Sequence, residues 1–243
     1  MRRAVSAVVV SAMIVGVAWV TTAAAASPIS FGLELGLVSR DIEEEGPLVV
    51  GTERGTADST RLAARLGLTV APMLILFGEV GAADISIDEF QDYRSDLHLL
   101  YGGGARVILV DGSYRGGVAV YSDFKVTRLK TDDQICAADC ETAAPIFGDE
   151  EIAWTEYAMS LGIRGHYDML RPFGGIRVSK LDGTDRLTLQ TGVQLEADVR
   201  EQDSVGFFLG TDIMLDRAGR TAITLQLSGI DENALRVGYK VMF

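Results

Sequence analysis

Histidine is all but missing from this chain: His98 and His166 are the only two in 243 residues. The sequence carries no zinc signature, no nucleophile elbow and no phosphate-cradling glycine loop, so it implies no metal or other cofactor. Basic residues are outnumbered, 22 lysines and arginines against 34 aspartates and glutamates, for a formal net charge of −12. That balance argues against nucleic acid as a partner, because neutralising a phosphate backbone takes a basic surface. Cysteine occurs only at Cys136 and Cys140, and two thiols with no neighbouring histidine make a poor metal site. No Pro/Ser-rich linker divides the chain. Beyond residue 26 no apolar run is long enough for a membrane helix, so a membrane could be crossed only by strands.

What is present begins with an export signal. Met1-Arg2-Arg3 is a positive leader, Ala4 to Val20 is almost wholly small and apolar, and Ala24-Ala25-Ala26 precedes Ser27 as an A-x-A cleavage site. Residues 1–26 read as a secretory signal peptide and residues 27–243 as one all-β domain; an uncleaved N-terminal anchor helix is the alternative. Removal of Arg2 and Arg3 takes the net charge to −14. Export would place the cysteines in an oxidising compartment, where a Cys136–Cys140 disulfide closing a small ring within one loop is expected.

Period-2 alternation then recurs along the chain. Phe31, Leu33, Leu35 and Leu37 share one face of a first strand; Leu62, Ala64, Leu66, Leu68 and Val70 share one face of a second, which Pro72 ends. The same reading predicts strands over Leu74 to Asp84, Leu97 to Leu109, Arg115 to Arg128, Glu156 to His166, Phe173 to Lys180, Val205 to Leu215, Ile223 to Ser228 and Ala234 to Phe243. Asp41 to Thr60, Ile85 to Asp96 and Leu129 to Glu151 read as polar loops. Leu187 to Val199 alternates loosely and reads as strand extensions reaching beyond a membrane. Ten strands result, in a window of eight to twelve. Connections of about three to five residues alternate with connections of a dozen or more, the pattern of short periplasmic turns and long external loops. Asp84, Arg128 and Lys180 lie on the apolar parity but at loop-facing strand ends, where a charge can leave hydrocarbon. A soluble barrel or sandwich also alternates. Here, however, the polar parity holds many small residues, among them Gly32, Ala63, Gly67, Gly104 and Gly162, as the crowded inside of a narrow barrel requires.

The last ten residues carry the most specific pattern. Leu235, Val237, Tyr239, Val241 and Phe243 form one apolar face opposite Arg236, Gly238 and Lys240. With Arg236, Gly238, Val241 and the terminal Phe243, this stretch resembles the C-terminal insertion signal of bacterial outer-membrane β-barrels. The chain resembles the OmpA/OmpX-like, porin-family class of outer-membrane proteins. The resemblance implies a transmembrane antiparallel up-and-down barrel in the bacterial outer membrane, with outer-membrane lipid and the barrel-insertion machinery as partners.

Inward parity assigns to the lumen Glu34, Arg61, Arg65, Glu79, Arg106, Asp123, Lys125, Glu156, Arg164, Arg177, Asp212, Arg236 and Lys240, with Arg40 and His166. Their signs nearly balance, which fits ion pairs filling the interior, since a lone buried charge costs several kcal/mol. Two roles stay open: a structural barrel with a polar plug, and a narrow porin-like pore lined by the same charges. Two further classes are carried beside them. A rim hydrolase or acyltransferase would use His98, near Asp84, Ser86, Asp88, Ser95 and Asp96. A surface adhesin would use the acidic loops around Asp41, Glu43, Glu44 and Glu45 and from Asp132 to Glu151, whose spacing matches no calcium loop. No catalytic residue is assigned.

Overall fold

In the computed structural model the described residues are 29–46, 52–87, 93–112, 117–138 and 146–243. The expected signal peptide lies outside them. So does the expected disulfide, because Cys140 is not among them and Cys136 is described for its backbone alone.

The strands are β1 (Ile29–Glu45), β2 (Thr52–Ala71), β3 (Leu74–Ala83), β4 (Ser86–Ile87), β5 (Tyr93–Arg94), β6 (His98–Val110), β7 (Val118–Ala138), β8 (Ile146–Gly165), β9 (Leu170–Leu189), β10 (Gln194–Glu201), β11 (Val205–Met214), β12 (Thr221–Gly229) and β13 (Asn233–Met242). All pairings are antiparallel. A ring of 10 strands runs β1-β13-β12-β11-β9-β8-β7-β6-β3-β2 and returns to β1. Its seam joins the chain ends, with Ser30 opposite Met242 and Ser39 opposite Asn233. The expected all-β up-and-down barrel is the observed fold.

Around the ring the outward parity is apolar and exposed: Leu33, Leu35, Leu66, Leu68, Leu161, Ile163, Leu209, Leu227 and Val237 all face outward. A soluble surface does not carry a continuous apolar girdle of this kind, whereas hydrocarbon requires one. The barrel therefore spans a membrane with strands, β13 presenting Leu235, Val237 and Tyr239 to the lipid and Phe243 standing exposed at its end.

Strand lengths differ around the ring. β3, β11 and β13 have 10 residues and β12 has 9, close to the roughly 9–11 that a tilted strand needs to cross. β2, β8 and β9 have 20, β7 has 21 and β1 has 17, so about half of each long strand stands beyond the bilayer. The polar stretches expected as loops are thus largely strand: β1 and β2 run through most of Asp41 to Thr60, and β7 and β8 through most of Leu129 to Glu151. Alternation does not stop there; it inverts. On β1, Leu33, Leu35 and Leu37 point out and Glu34 in, but higher up Asp41, Glu43 and Glu45 take the outward parity while Val38 and Ile42 are buried inside. Outside the bilayer water replaces lipid, so the polar face turns outward and the apolar face becomes the core.

The Leu187 to Val199 segment behaves as expected of an extension, and β10 adds a strand without joining the ring. It hydrogen-bonds β9 from Asp182 to Thr188 and β1 from Ile42 to Glu45, bridging the gap above the short β11, β12 and β13. The outer storey is consequently narrower than the membrane storey. Its filling is Ile42, Ala57, Ile85, Ile87, Tyr93, Leu129, Ile135, Ile152, Trp154, Leu181, Leu187 and Val199, one buried apolar cluster. Paired β4 and β5 supply two of these, Ile87 and Tyr93, with Ile85 just before them, and Tyr93 ties them down, its Oη lying 2.7 Å from Thr131 Oγ1.

The inversion is directly testable. Leu66→Arg, at the middle of the lipid-facing stretch of β2, is expected to destabilise the barrel by about 2–4 kcal/mol in urea titrations in liposomes. Asp58→Arg, higher on the same face, is expected to change stability by less than about 1 kcal/mol, because it stays in water.

Candidate functional site in the barrel interior

Beneath the apolar cluster lies a layer of crossed ion pairs. Arg40 on β1 places Nη2 3.2 Å from Glu156 Oε1 and 3.0 Å from Glu232 Oε2, with Nη1 3.5 Å from Glu201 Oε2. Arg61 reaches the other Glu156 oxygen at 3.1 Å. Arg177 donates from Nε to Asp231 Oδ2 at 2.6 Å and from Nη1 to Glu232 Oε1 at 2.5 Å. Arg236 also bonds Glu232, and Ser179 Oγ donates to Glu201 at 2.9 Å. Arg40, Glu156, Arg177, Ser179, Asp231 and Glu232 are almost wholly buried, and Arg61 and Arg236 mostly so. Removing one partner from such a layer strands a charge in a low dielectric, at a cost of about 3–5 kcal/mol.

Asp231 and Glu232 come from the β12–β13 turn, which lies between two strands predicted from alternation and itself carries no periodic pattern. The turn is folded inward. Ile230 sits at a φ of 81°, a left-handed conformation rare for a β-branched residue, and both carboxylates after it enter the lumen. Gly206 on β11 makes the space: a Cβ there would collide with the Asp231 carboxylate. Two consecutive carboxylates in a turn look solvated in sequence, and no periodicity reveals that the turn points inward.

A cavity of about 240 Å³ occupies the membrane storey below this layer. Its lining includes Glu34, Arg65, Glu79, Arg106, Asp123, Lys125, Glu156, Arg164, Arg177, Asp212, Arg236 and Lys240, so the structure brings the sequence-assigned lumen charges together around one space; Arg61 joins them through Glu156. Glu79 is clasped by Arg65 at 2.9 Å, Lys125 at 2.8 Å and Thr127 Oγ1 at 3.0 Å. Arg106 and Asp123 form a two-pronged pair at 2.6 and 2.7 Å. Asp212 accepts from Thr224 at 2.7 Å and lies 3.4 Å from Arg164. Tyr121 holds both Arg106 and Arg164 over its ring, at 4.6 and 5.5 Å, and Arg164 also covers Phe173 at 5.4 Å.

The rim places His98 beside a carboxylate, Nδ1 being 3.4 Å from Asp132 Oδ1, which is largely exposed. Ser95 is engaged elsewhere, its Oγ receiving the Ile85 amide at 2.9 Å, and Asp84 accepts the Thr60 amide at 2.5 Å. Asp88 lies outside the described residues. His166, at the opposite end of the barrel, has a buried Nδ1 without a hydrogen-bond partner. Arg236 and Gly238 line the cavity on the inward face of β13, while the Phe243 amide donates to Ile29 carbonyl at 3.0 Å across the seam.

No protein-family model matches this sequence, and no curated protein matches it. Among solved structures it is similar to the outer membrane protease OmpT from Escherichia coli, at 8% identity and a TM-score of 0.57, over 92% of this chain and 99% of that one. It is also similar to the β domain of the Bordetella autotransporter BrkA, at 12% identity and a TM-score of 0.46, over 88% and 100% of the two chains. A third is the Ralstonia pickettii toluene transporter TbuX, at 10% identity and a TM-score of 0.33, over 90% of each chain. The likeness to OmpT establishes the fold alone, a β-barrel of the bacterial outer-membrane kind.

In the outer storey, Glu150 on β8 and Asp185 on β9 are buried together. Burial, then the Asp185 carboxylate beside it, pushes the Glu150 carboxyl up to about 9, and burial pushes Asp185 up to about 6. A raised folded-state pKa means that the native state holds the proton more tightly than the unfolded chain. The stabilisation is complete below the ordinary value of 4.5 for Glu150 and is lost as pH rises through about 9. Replacing Glu150→Gln is expected to flatten this dependence: the fall in melting temperature of the folded band from pH 5 to pH 9, followed by heat-modifiability on gels, should be smaller in the variant than in wild type.

Proposed function

We propose that this chain resides in the bacterial outer membrane as a closed, non-conducting structural barrel, exported through its N-terminal segment and inserted through the β13 end. The observation that carries the closed reading is the succession of two filled layers across the lumen. A polar passage would have to traverse both the Arg40–Glu156–Glu232–Arg177 layer and the apolar cluster around Ile42, Trp154 and Leu181. An ion moving through the latter would shed most of its hydration shell among apolar side chains, where the buried polar groups are few, Thr131, Glu150 and Asp185 among them. The outer storey then serves as a rigid platform for the external loops, and the apolar girdle holds it in lipid.

Planar-bilayer recording tests this reading. Wild-type barrel, verified as folded by heat-modifiability, should give no discrete conductance steps. Thinning the apolar layer with Trp154→Gly together with Leu181→Gly should introduce steps or raise leak. Steady, ion-selective steps from wild-type protein that shift on Arg65→Ala would establish a pore and end the closed reading.

A second reading, hydrolysis at the outer rim, is favoured by the His98–Asp132 pair, which could orient an imidazole as a base. OmpT, of similar fold, is a protease. If the rim is catalytic, purified barrel should cleave a mixed peptide pool, His98→Ala should abolish cleavage and His166→Ala should leave it intact. No cleavage by wild-type protein would dismiss the reading.

A further inference from the structure

The cations of the membrane-storey cavity are not equally provided for. Arg65 and Lys125 share Glu79, Arg106 holds Asp123 with two hydrogen bonds, and Arg177 and Arg236 are bound by the carboxylates of the inward turn. Lys240 differs. Its directly opposite residues are Gly32 on β1 and Ala222 on β12, the nearest β1 carboxylate, Glu34, lies toward Arg236 at 3.7 Å, and Lys240 forms no ion pair among the described residues. Instead it faces the cavity near Arg106, Arg164 and Arg65 as well as Asp212, and the cavity lining as a whole carries seven cationic side chains against five carboxylates. Arg164 is under-bonded in the same region. Its single carboxylate contact is the 3.4 Å approach to Asp212, which already accepts from Thr224, and its Nε is buried with no hydrogen-bond partner.

We infer that this cavity is a binding site for a small oxyanion of carboxylate or phosphate chemistry, held by Lys240 and Arg164. A neutral molecule would leave the excess charge uncompensated, and a cation would be repelled by it. An oxyanion supplies the missing charge to Lys240 and acceptor oxygens to the Arg164 guanidinium, whose plane is fixed by the Tyr121 and Phe173 rings. The small residues Gly32, Gly67 and Gly238 around the cavity leave the room. The occupant enters from the end carrying Ser30, Ile75 and Lys240, opposite the apolar outer storey. Only this direction of entry rests on the closed-barrel reading; the binding itself does not.

The experiment uses the folded full-length barrel in nonionic detergent, with inorganic phosphate and acetate as probes and sodium chloride at matched ionic strength as reference. A ligand of the native state raises the unfolding midpoint in a saturable, concentration-dependent way. Wild type should show that rise, and Lys240→Gln should weaken it about tenfold in apparent Kd, the worth of one charge-assisted contact. Arg164→Lys serves as a second variant that keeps the charge but loses the fork, and it too should weaken the response. Which of the two probes acts identifies the oxyanion as phosphate or carboxylate. No saturable rise with either probe, or a rise unchanged in both variants, overturns the proposal. Conductance reads out the closed-barrel reading separately, so the two can fail independently.

Discussion

A peptide group in hydrocarbon has no water to bond, and the whole architecture follows from that constraint. It forbids a free sheet edge, so β1 must find β13 as well as β2, and the ring must close. Closure in turn fixes the parity of every strand. Once Leu33 and Leu35 face lipid, Glu34 can only face the lumen, where the charges so directed find most of their partners, as Arg65 finds Glu79 and Arg106 finds Asp123 on neighbouring strands. The lumen is thus a consequence of the lipid, and its ion pairs are what makes a lipid-facing exterior tolerable.

Where the hydrocarbon ends, the constraint is released and the same strands change sides. Ile42, Leu129, Ile152 and Leu181 continue the inward rows begun by Glu34, Lys125, Glu156 and Arg177. One continuous strand serves first as a membrane element and then as part of a water-soluble barrel. The outer storey can therefore hold an apolar core that the membrane storey cannot, and the ion-pair layer of Arg40, Arg177, Glu156 and Glu232 marks the transition between them. Asp231 and Glu232 show how tightly that transition is filled: a strained turn at Ile230 and a glycine at 206 are both given over to seating two carboxylates.

The ring was legible from sequence because lipid-facing alternation is a strong local signal with the same sign on every strand. Phe31 to Leu37 and Leu235 to Val241 could be read with no knowledge of their partners, and the inward placement of Arg65, Glu79 or Lys240 followed from parity. The outer storey was not legible as strand, because its alternation has the opposite sign. Asp41 to Glu45 look like a solvated loop unless Ile42 is known to be packed in the outer cluster, whose members run from Ala57 to Val199. The pairing of specific charges was equally hidden. That Arg40 meets Glu232 depends on strand tilt and on the inward turn, neither of which leaves a periodic trace.

The clasp made by β10 bears on the order in which the molecule assembles. Most of the sheet joins neighbours in sequence, but Ile42 opposite Glu201 and Glu45 opposite Asp198 are contacts between the first strand and one of the last third of the chain. Forming such contacts early would mean closing a very long loop for few interactions, so they are entropically disfavoured until the intervening hairpins stand in place. The β1–β10 contacts, like the β1–β13 seam, must then form late, and the apolar lining they complete stays open to water until they do. A chain with half-finished strands exposing Ile42, Leu181 and Val199 is sticky, which makes the charged outward parity of Asp41, Glu43, Arg186 and Glu196 a guard against mispairing during that interval as much as a solvated surface afterwards.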